Sequence, residues 1–415
     1  MQKIKIESVI NDEIDRFSFF KENAFFQLLI KLIVDLKYII YIFALFFFLS
    51  VPHFNSLYNQ NFIDLTPFIK YVTDCKNLIM YEREKVNNKY PFLSVCISAN
   101  NMKDYIEKNL ISIINQSFQD FEIVIVNDAS EDDTHNIINR IQSNDNRIIL
   151  LSHSKKLGVY RSRIETIFNS KSEYILLMDP DDIYLNENLF QELYNYNKKY
   201  NLDIIEFLSL QQIDGSDKIY CPKSQYGHHF HNFGKDIIYQ PELSNILYFF
   251  PGTKEYSRTI CRNIWNKLIR REIFIQTSDY IGKEYYNEYI ITADDMLMNI
   301  VTYQFAKNFS NIDLFGYLYV RRNISMSRGG GVELEQIRAI NFLFYFNIFY
   351  KYIKDYNKDI NILFYEMKNL EIKILTIKNN NMTQHLPILQ KFINQILQEK
   401  NISKEFEVFL QNLMA

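Results

Sequence analysis

The sequence predicts an α/β fold, a mostly parallel sheet with helices on both faces. Three observations carry that prediction. From Pro91 onward, short apolar runs alternate with segments whose apolar residues recur at helical spacing. The connections between them are short, as expected of right-handed crossovers between parallel strands. The runs are continuously apolar, which suits strands covered on both faces.

Each element has its own justification. FLSVCIS (92–98) reads as a strand, and DYIEKNLISIINQS (104–117) repeats its apolar residues at helical spacing. FEIVIVN (121–127) is a strand, and DDTHNIINRIQ (132–142) is a helix with carboxylates in its first turn, where the dipole favours them. RIILLS (147–152) is a strand, GVYRSRIETIFNS (158–170) a helix and YILLM (174–178) a strand. NENLFQELYNYNKK (186–199) is a helix with Asn186 at its N-cap, and DIIEFLSL (203–210) is a further strand. The stretch 91–332 is thus read as one α/β domain in two halves, 91–210 and 211–332. Residues 333–415 read as a separate helical bundle or cap.

Three segments precede this domain. Residues 1–23 are polar, 24–52 are strongly apolar and 53–90 form a polar stem. Tyr38 to Val51 carries no charge, but a membrane span needs about 20 apolar residues. The span must therefore include Lys31, Asp35 and Lys37. Lys31 and Asp35 sit one helical turn apart and can pair, and Lys37 can snorkel. The alternative is a buried or interfacial helix. Lys21, Lys31 and Lys37 lie on the N-terminal side, and no Lys or Arg occurs from Val51 to Ile69. The expectation is a single-pass signal anchor in the ER or Golgi membrane, with a cytoplasmic N-terminus and a lumenal catalytic domain. Sequons at Asn115, Asn308, Asn323, Asn381 and Asn401 fit that side, though an Asn-rich chain produces them by chance.

Composition excludes some functions. The formal net charge of −3 supplies no basic field to recruit nucleic acid. Cys75, Cys96, Cys221 and Cys261 are far apart and lack zinc spacing; they neither demand nor exclude disulfides, and Cys96 reads as a small buried hydrophobe.

In an open α/β sheet, ligands bind beyond the carboxyl ends of the strands. The residues there are Ser98, Asn100 and Asn101, then Asn127 and Asp128, then His153, then Asp179, Asp181 and Asp182. GxGxxG is missing after the first strand, and GxxxxGK[ST] is missing too, which disfavours a dinucleotide dehydrogenase and a P-loop NTPase. Three carboxylates at one strand end repel one another unless neutralised. Mg²⁺ or Mn²⁺ suits such oxygens, with water and substrate phosphate completing the shell. An extended backbone aims Asp179 and Asp181 to one side, and Pro180 stiffens the spacing. The alternative is a solvated Asp-rich turn capping the next helix.

Residues 91–210 resemble the nucleotide-sugar domain of family-two glycosyltransferases, which have the Rossmann-like GT-A fold. The usual motifs are close to SVIIPxYN, EIIIVDDGSxDxT, NxGxxxARN and YIxFLDSDD. Here they read SVCISANN (94–101), EIVIVNDASEDDT (122–134), LGVYRSRI (157–164) and YILLMDPDD (174–182), in that order. The resemblance implies that Asp128 contacts the uracil or ribose of a UDP-sugar, that Ser98 and Asn101 line the nucleotide pocket, and that Arg163 reaches the nucleotide or its phosphates. It also implies that Asp179, Asp181 and Asp182 form the DxD site, shared between ribose and metal. Ser98, Asn100, Asn127 and Ala129 depart from the family pattern.

An inverting transfer needs a base for the acceptor hydroxyl. EYIITADDMLMNIVTYQFAKN (288–308) resembles the family segment that supplies it; Asp295 matches the base and Asp294 the acid before it. The alternative for both is a helix N-terminus stabilised by its dipole. NIWNKLIRREIF (263–274) also resembles the family, and Trp265 is either an acceptor platform or a packing residue. The arginines of YVRRNISMSRGGG (319–331) can reach phosphate, and Gly329 to Gly331 can hinge a lid. HHFH (228–231) reads as an acceptor-side loop rather than a metal site. The expected function is a metal-dependent, inverting transfer of a sugar from a UDP-sugar to a glycan, protein or lipid hydroxyl. The rivals are a catalytically impaired relative that binds glycan or nucleotide sugar, and an aspartyl-nucleophile phosphatase. The phosphatase expects its DxD after the first strand, not the fourth.

Overall fold

The computed structural model describes residues 62–64, 90–222, 237–240, 263–322, 331–369 and 386–414. Two compact units divide the chain, Met1–Ile63 and Asp64–Ala415, and the sheet and site described below belong to the second. The expected anchor (24–52), the HHFH stretch and Gly329–Gly330 lie outside the described residues. Among the described residues no helix is long and apolar enough to cross a membrane.

The first half follows the expected alternation. It contains β1 (Leu93–Ala99), α1 (Ile106–Ile114), β2 (Phe121–Asn127), α2 (Thr134–Gln142), β3 (Ile148–Ser152), α3 (Val159–Asn169) and β4 (Tyr174–Met178). A short β5 (Ile183–Tyr184), α4 (Leu189–Tyr200) and β6 (Ile204–Ile213) complete it. The second half adds β7 (Ile219–Pro222), β8 (Ile238–Tyr239), β9 (Lys267–Arg270), α5 (Arg271–Ile281), α6 (Lys283–Asn287), α7 (Asp294–Phe305) and β10 (Asn308–Arg321). Helices α8 (Gly331–Asp355), α9 (Asn361–Asn369), α10 (Leu386–Leu397) and α11 (Lys404–Met414) follow.

Across the sheet the strands run β7-β6-β9-β4-β1-β2-β3, and β10 pairs β5, β6 and β8. The four strands β4, β1, β2 and β3 are parallel neighbours. The period-two geometry of a strand then sorts the core. Cys96, Val124, Ile175 and Leu177 face one hydrophobic cluster, while Val95, Ile97, Ile123, Ile125, Leu176 and Met178 face the other. Each fully buried aliphatic side chain contributes about 1.5–3 kcal/mol relative to exposure, so both faces reward the continuous apolar runs. Cys96 is buried as expected, and burial pushes its thiol up to about 12.

The structure departs from the expectation in two places. Strand β9 is antiparallel to both β4 and β6, so it inserts between two members of the expected series. It is short, runs directly into α5, and begins at Lys267, a fully buried lysine whose Nζ lies 3.6 Å from Glu206 Oε2. A charged residue in a buried strand defeats a hydropathy reading; its partner on β6 is visible only in three dimensions. The C-terminal helices also do not form a separate core. Tyr345, Phe346, Phe349, Phe392 and Phe406 belong to the same cluster as Leu297 and Met298 of α7.

Gly158 joins the two halves. It precedes α3 with φ +94°, and a Cβ there would stand 2.6 Å from the carbonyl oxygen of Ile290. Gly158→Ala combines left-handed strain with a backbone clash, and a loss of about 1–3 kcal/mol is expected from the strained conformation alone. Urea unfolding measures it; a midpoint equal to wild type would refute the close approach.

Candidate active site

Each strand of the parallel set delivers its last residues to one edge. At the end of β2, Asp128 is buried and accepts backbone N–H groups from Leu157 at 2.8 Å and Gly158 at 2.9 Å. Asn100 donates to the carbonyls of Asp128 at 2.6 Å and Ala129 at 3.3 Å, stapling the loop after β1 to the loop after β2. The family aromatic is thus replaced by a local hydrogen-bond donor. Ala129 stands where the family has glycine and adopts φ 51°, a left-handed conformation that costs about 1–2 kcal/mol for a residue with a Cβ. Asn101, also left-handed, pairs with Ser130 at 3.0 Å and Glu131 at 2.8 Å across the same loops. Ser98 is half-buried on β1 opposite Val126.

The three aspartates after β4 separate into two kinds. Asp182 is fully buried, and its carboxylate accepts from the Tyr317 hydroxyl at 2.7 Å and the Val320 N–H at 2.6 Å. The Tyr317 oxygen in turn accepts from the Asp179 N–H at 3.2 Å. Asn109 of α1 donates to the carbonyls of Asp179 and Asp182, at 2.9 and 2.8 Å. Burial, then repulsion from Asp181 and Asp179, pushes the Asp182 carboxyl well above its ordinary range. Asp182 was grouped with the metal ligands in the sequence, yet its oxygens are committed to fixing the aspartate loop on β10. Two register shifts in β10, between Ile312 and Tyr317, bring Tyr317 and Val320 to it.

Asp179 and Asp181 keep contact with solvent, with side chains 26% and 14% exposed. Each is held by a guanidinium: Asp179 by Arg163 Nη2 at 2.6 Å, Asp181 by Arg322 Nε at 2.6 Å. Burial raises the Asp181 carboxyl, Asp179 adds to that, and Arg322 opposes it. Arg322 also lies over the Tyr105 ring, 5.2 Å from its centroid. The sequence marks the arginines of 319–331 but not this partner.

Arg163 brings the two halves of the site together. It projects from α3 and is buried, donating to Asp179 through Nη2 and to both Asp294 and Asp295 through Nη1. Burial opposes its charge, but the three carboxylates outweigh it and hold the guanidinium firmly protonated. The resemblance implied contact with nucleotide or phosphate; the geometry gives Arg163 the task of counter-ion to the cluster. Asp294 and Asp295 open α7 after Ala293, which has φ 67°. A helix N-terminus normally lowers a carboxyl pKa. Asp295 keeps some contact with solvent, its side chain 28% exposed, yet partial burial, with repulsion from Asp294 and Asp179 and against the pull of Arg163, raises the group to about 7. The segment before α7 is fixed by Asn341 of α8, which accepts from the Ile291 N–H at 2.9 Å and donates to the Tyr289 carbonyl at 3.1 Å. No sequence signal marked Asn341.

Trp265 is buried and stacks on Tyr317, with ring centroids 4.3 Å apart, and beside Tyr319 at 5.8 Å. It packs under the strand that holds Asp182, which favours the packing reading over an acceptor platform.

Whether the site fits a divalent cation rests on its donors. Among the described residues no three His, Cys, Asp or Glu side chains converge to hold a metal by themselves. Two partly exposed carboxylates, Asp179 and Asp181, are the arrangement Mg²⁺ and Mn²⁺ accept when water and substrate phosphate supply the remaining oxygens. The residues fit on that condition.

A parallel sheet with acidic groups at its carboxyl edge, and a second acidic pair carried by the half that follows, is the layout of a GT-A-type fold. Residues 94–276 match the family model Glycosyl transferase family 2. Among curated proteins, the chain is 25% identical over 239 residues to glycosyltransferase GlyG of Streptococcus pneumoniae serotype 4, a match covering 57% of this chain and 73% of that one. It is also 25% identical over 240 residues to glycosyltransferase GlyA of the same organism, covering 57% of this chain but only 31% of the relative. The fold is similar to the crystal structure of S. aureus TarS 1-349 in complex with UDP-GlcNAc, with TM-score 0.53 and 19% identity, covering 78% of this chain and 87% of that one.

Proposed function

We propose that the chain transfers a sugar from a UDP-sugar to a hydroxyl of a glycan, protein or lipid, with inversion at the anomeric carbon and with Asp295 as the base. The observation that carries this reading is the Arg163 bridge, which sets Asp179 of the donor half and Asp294–Asp295 of the acceptor half on one guanidinium. An inverting displacement needs the leaving diphosphate and the attacking hydroxyl on opposite sides of one carbon. Carboxylates of different function meeting at one cation suit that requirement. The TarS structure with UDP-GlcNAc and the family match support a uridine donor.

Asp179 and Asp181 are the residues that would hold Mn²⁺ or Mg²⁺, and the ion would offset charge on the leaving diphosphate when bound. The remaining steps belong to the chain. Asp295 takes the acceptor proton, and its raised pKa makes it a competent acceptor of that proton near neutrality. Asp294, buried beside it, shares the Arg163 charge and limits how far the guanidinium can stabilise ionised Asp295. Membrane attachment through residues 24–52, with a lumenal catalytic domain, is a further part of this reading and rests on the apolar run and the lysine distribution around it.

A thermal-shift screen of nucleotide sugars, with and without Mn²⁺, tests the donor assignment. UDP-sugars are expected to raise the melting temperature, and more so with Mn²⁺. Asp181→Ala is expected to lose the metal-dependent part. A chain that no nucleotide stabilises would defeat the reading, and an unchanged metal effect in Asp181→Ala would remove that residue from the ligand set.

A further inference from the structure

His153, at the end of β3, bridges two carboxylates from different elements. Its Nδ1 lies 2.7 Å from Asp128 Oδ1 and its Nε2 lies 2.6 Å from Glu165 Oε2. Neither carboxylate is otherwise idle. Asp128 receives the N–H groups that start α3. Glu165, within α3, also accepts from Arg161 Nε at 3.1 Å and from the Tyr286 hydroxyl of α6 at 2.7 Å.

A neutral imidazole has one N–H and one lone pair. Facing ionised carboxylates on both sides, it must leave one nitrogen lone pair against an anionic oxygen. The two short contacts therefore call for a ring protonated at both nitrogens. The surroundings agree. Burial disfavours the charged ring, but the hydrogen bonds to Asp128 and Glu165 prevail and raise His153. Burial likewise raises Glu165, but the hydrogen bonds from His153, Tyr286 and Arg161 prevail and lower it, so Glu165 is not the proton donor.

We infer that His153 is a positioning residue: its imidazolium, donating from both nitrogens, fixes the Asp128 carboxylate for the nucleotide and locks the start of α3, and with it Arg163, to the sheet. This rests on the donor-site reading given above. Asp128 cannot turn toward or away from a bound nucleoside without breaking the His153 contact. Loss of the ring proton leaves one of the two carboxylates facing a lone pair, so the bridge between Asp128 and Glu165 breaks and the first turn of α3 loosens. Tyr286 and Arg161 extend the same lock to α6, which Asp128 does not touch directly.

Asp128 from the end of β2 and Glu165 from α3 face this ring, and the titratable groups next to those carboxylates are Arg161 of α3, Tyr286 of α6 and Tyr289 beyond it. Burial and neighbouring carboxylates raise both tyrosines, and the contacts of Arg161 with Glu165 and Tyr286 outweigh its burial and raise it, so none of the three titrates near neutrality. The test is calorimetric binding of UDP with Mn²⁺ to the full chain from roughly pH 6 to 9, a window that spans histidine titration. Wild type is expected to bind evenly at the lower end and to weaken as pH rises through the elevated His153 pKa. His153→Gln is expected to bind about tenfold more weakly at neutral pH, the scale of one charged hydrogen bond, and to lose that alkaline limb. Glu165→Gln leaves Asp128 and Arg163 in place but removes one anionic partner, so the limb is expected to move to lower pH. A His153→Gln protein with wild-type affinity and pH profile, or a Glu165→Gln limb that does not move, overturns the inference while leaving the donor site intact. Failure of wild type to bind UDP at any pH overturns the donor-site reading, and this inference with it.

Discussion

Asp295→Asn will lower kcat by about 10²–10⁴-fold, the contribution of a positioned general base, while UDP binding stays close to wild type. The asparagine keeps the shape and can still meet Arg163, so the cluster survives, but it cannot take a proton. Steady-state kinetics with a hydrolysis or transfer assay reads the first quantity, and calorimetry with UDP reads the second. The pH profile sharpens the test. The base must be ionised, and burial has raised it to about 7. In wild type kcat/KM is therefore expected to rise with pH through that region and level off above it. In Asp295→Asn the residual rate loses that acid limb. A variant with near-wild-type kcat would remove Asp295 from the mechanism, and an unchanged acid limb would assign the limb to another group.

Arg163→Met will cost about 3–5 kcal/mol of stability, the usual penalty for removing one partner of a buried ion pair. Asp179, Asp294 and Asp295 would then share one site with no cation between them. Arg163→Lys will recover only part of the loss, because one ammonium cannot span three carboxylates as a planar fork does. The sign of the pH dependence follows. Asp295 is already raised against the pull of Arg163, so without the guanidinium its folded pKa stands further above its unfolded one. The variant's deficit is then largest at neutral pH and above, and shrinks as pH falls through that raised value. Urea midpoints at several pH values measure this. A loss below about 1 kcal/mol, the range of exposed pairs, would mean the cluster is solvated rather than mutually dependent.

Much of the donor half was legible because its signals are local. Strands β1 to β4 and helices α1 to α3 agree with the apolar periodicity to within a few residues at their ends. Asp179, Asp181 and Asp128 were identifiable from their position beyond strand ends. Less legible was what each carboxylate does there. Asp182 looks equivalent to Asp181 in the string YILLMDPDD, yet one faces Tyr317 and the other Arg322. Adjacent residues leaving a strand point to different sides, and only the register of β10 decides which side holds a tyrosine hydroxyl.

The sequence alone determined the alternation of strands and helices from 92 to 210, the absence of dinucleotide and P-loop fingerprints, and the two acidic stations at 179–182 and 294–295. Periodicity, turn chemistry and motif spacing act over a few residues, so they are written in the string. Tertiary structure alone decided that β9 enters antiparallel, that α8 carries the asparagine steadying the segment before α7, and that Arg163 joins the two stations. It also decided that His153 lies between Asp128 and Glu165. Those facts depend on pairing between residues far apart in the chain. Burial and charge there favour one partner among many, and nothing local in the sequence names it.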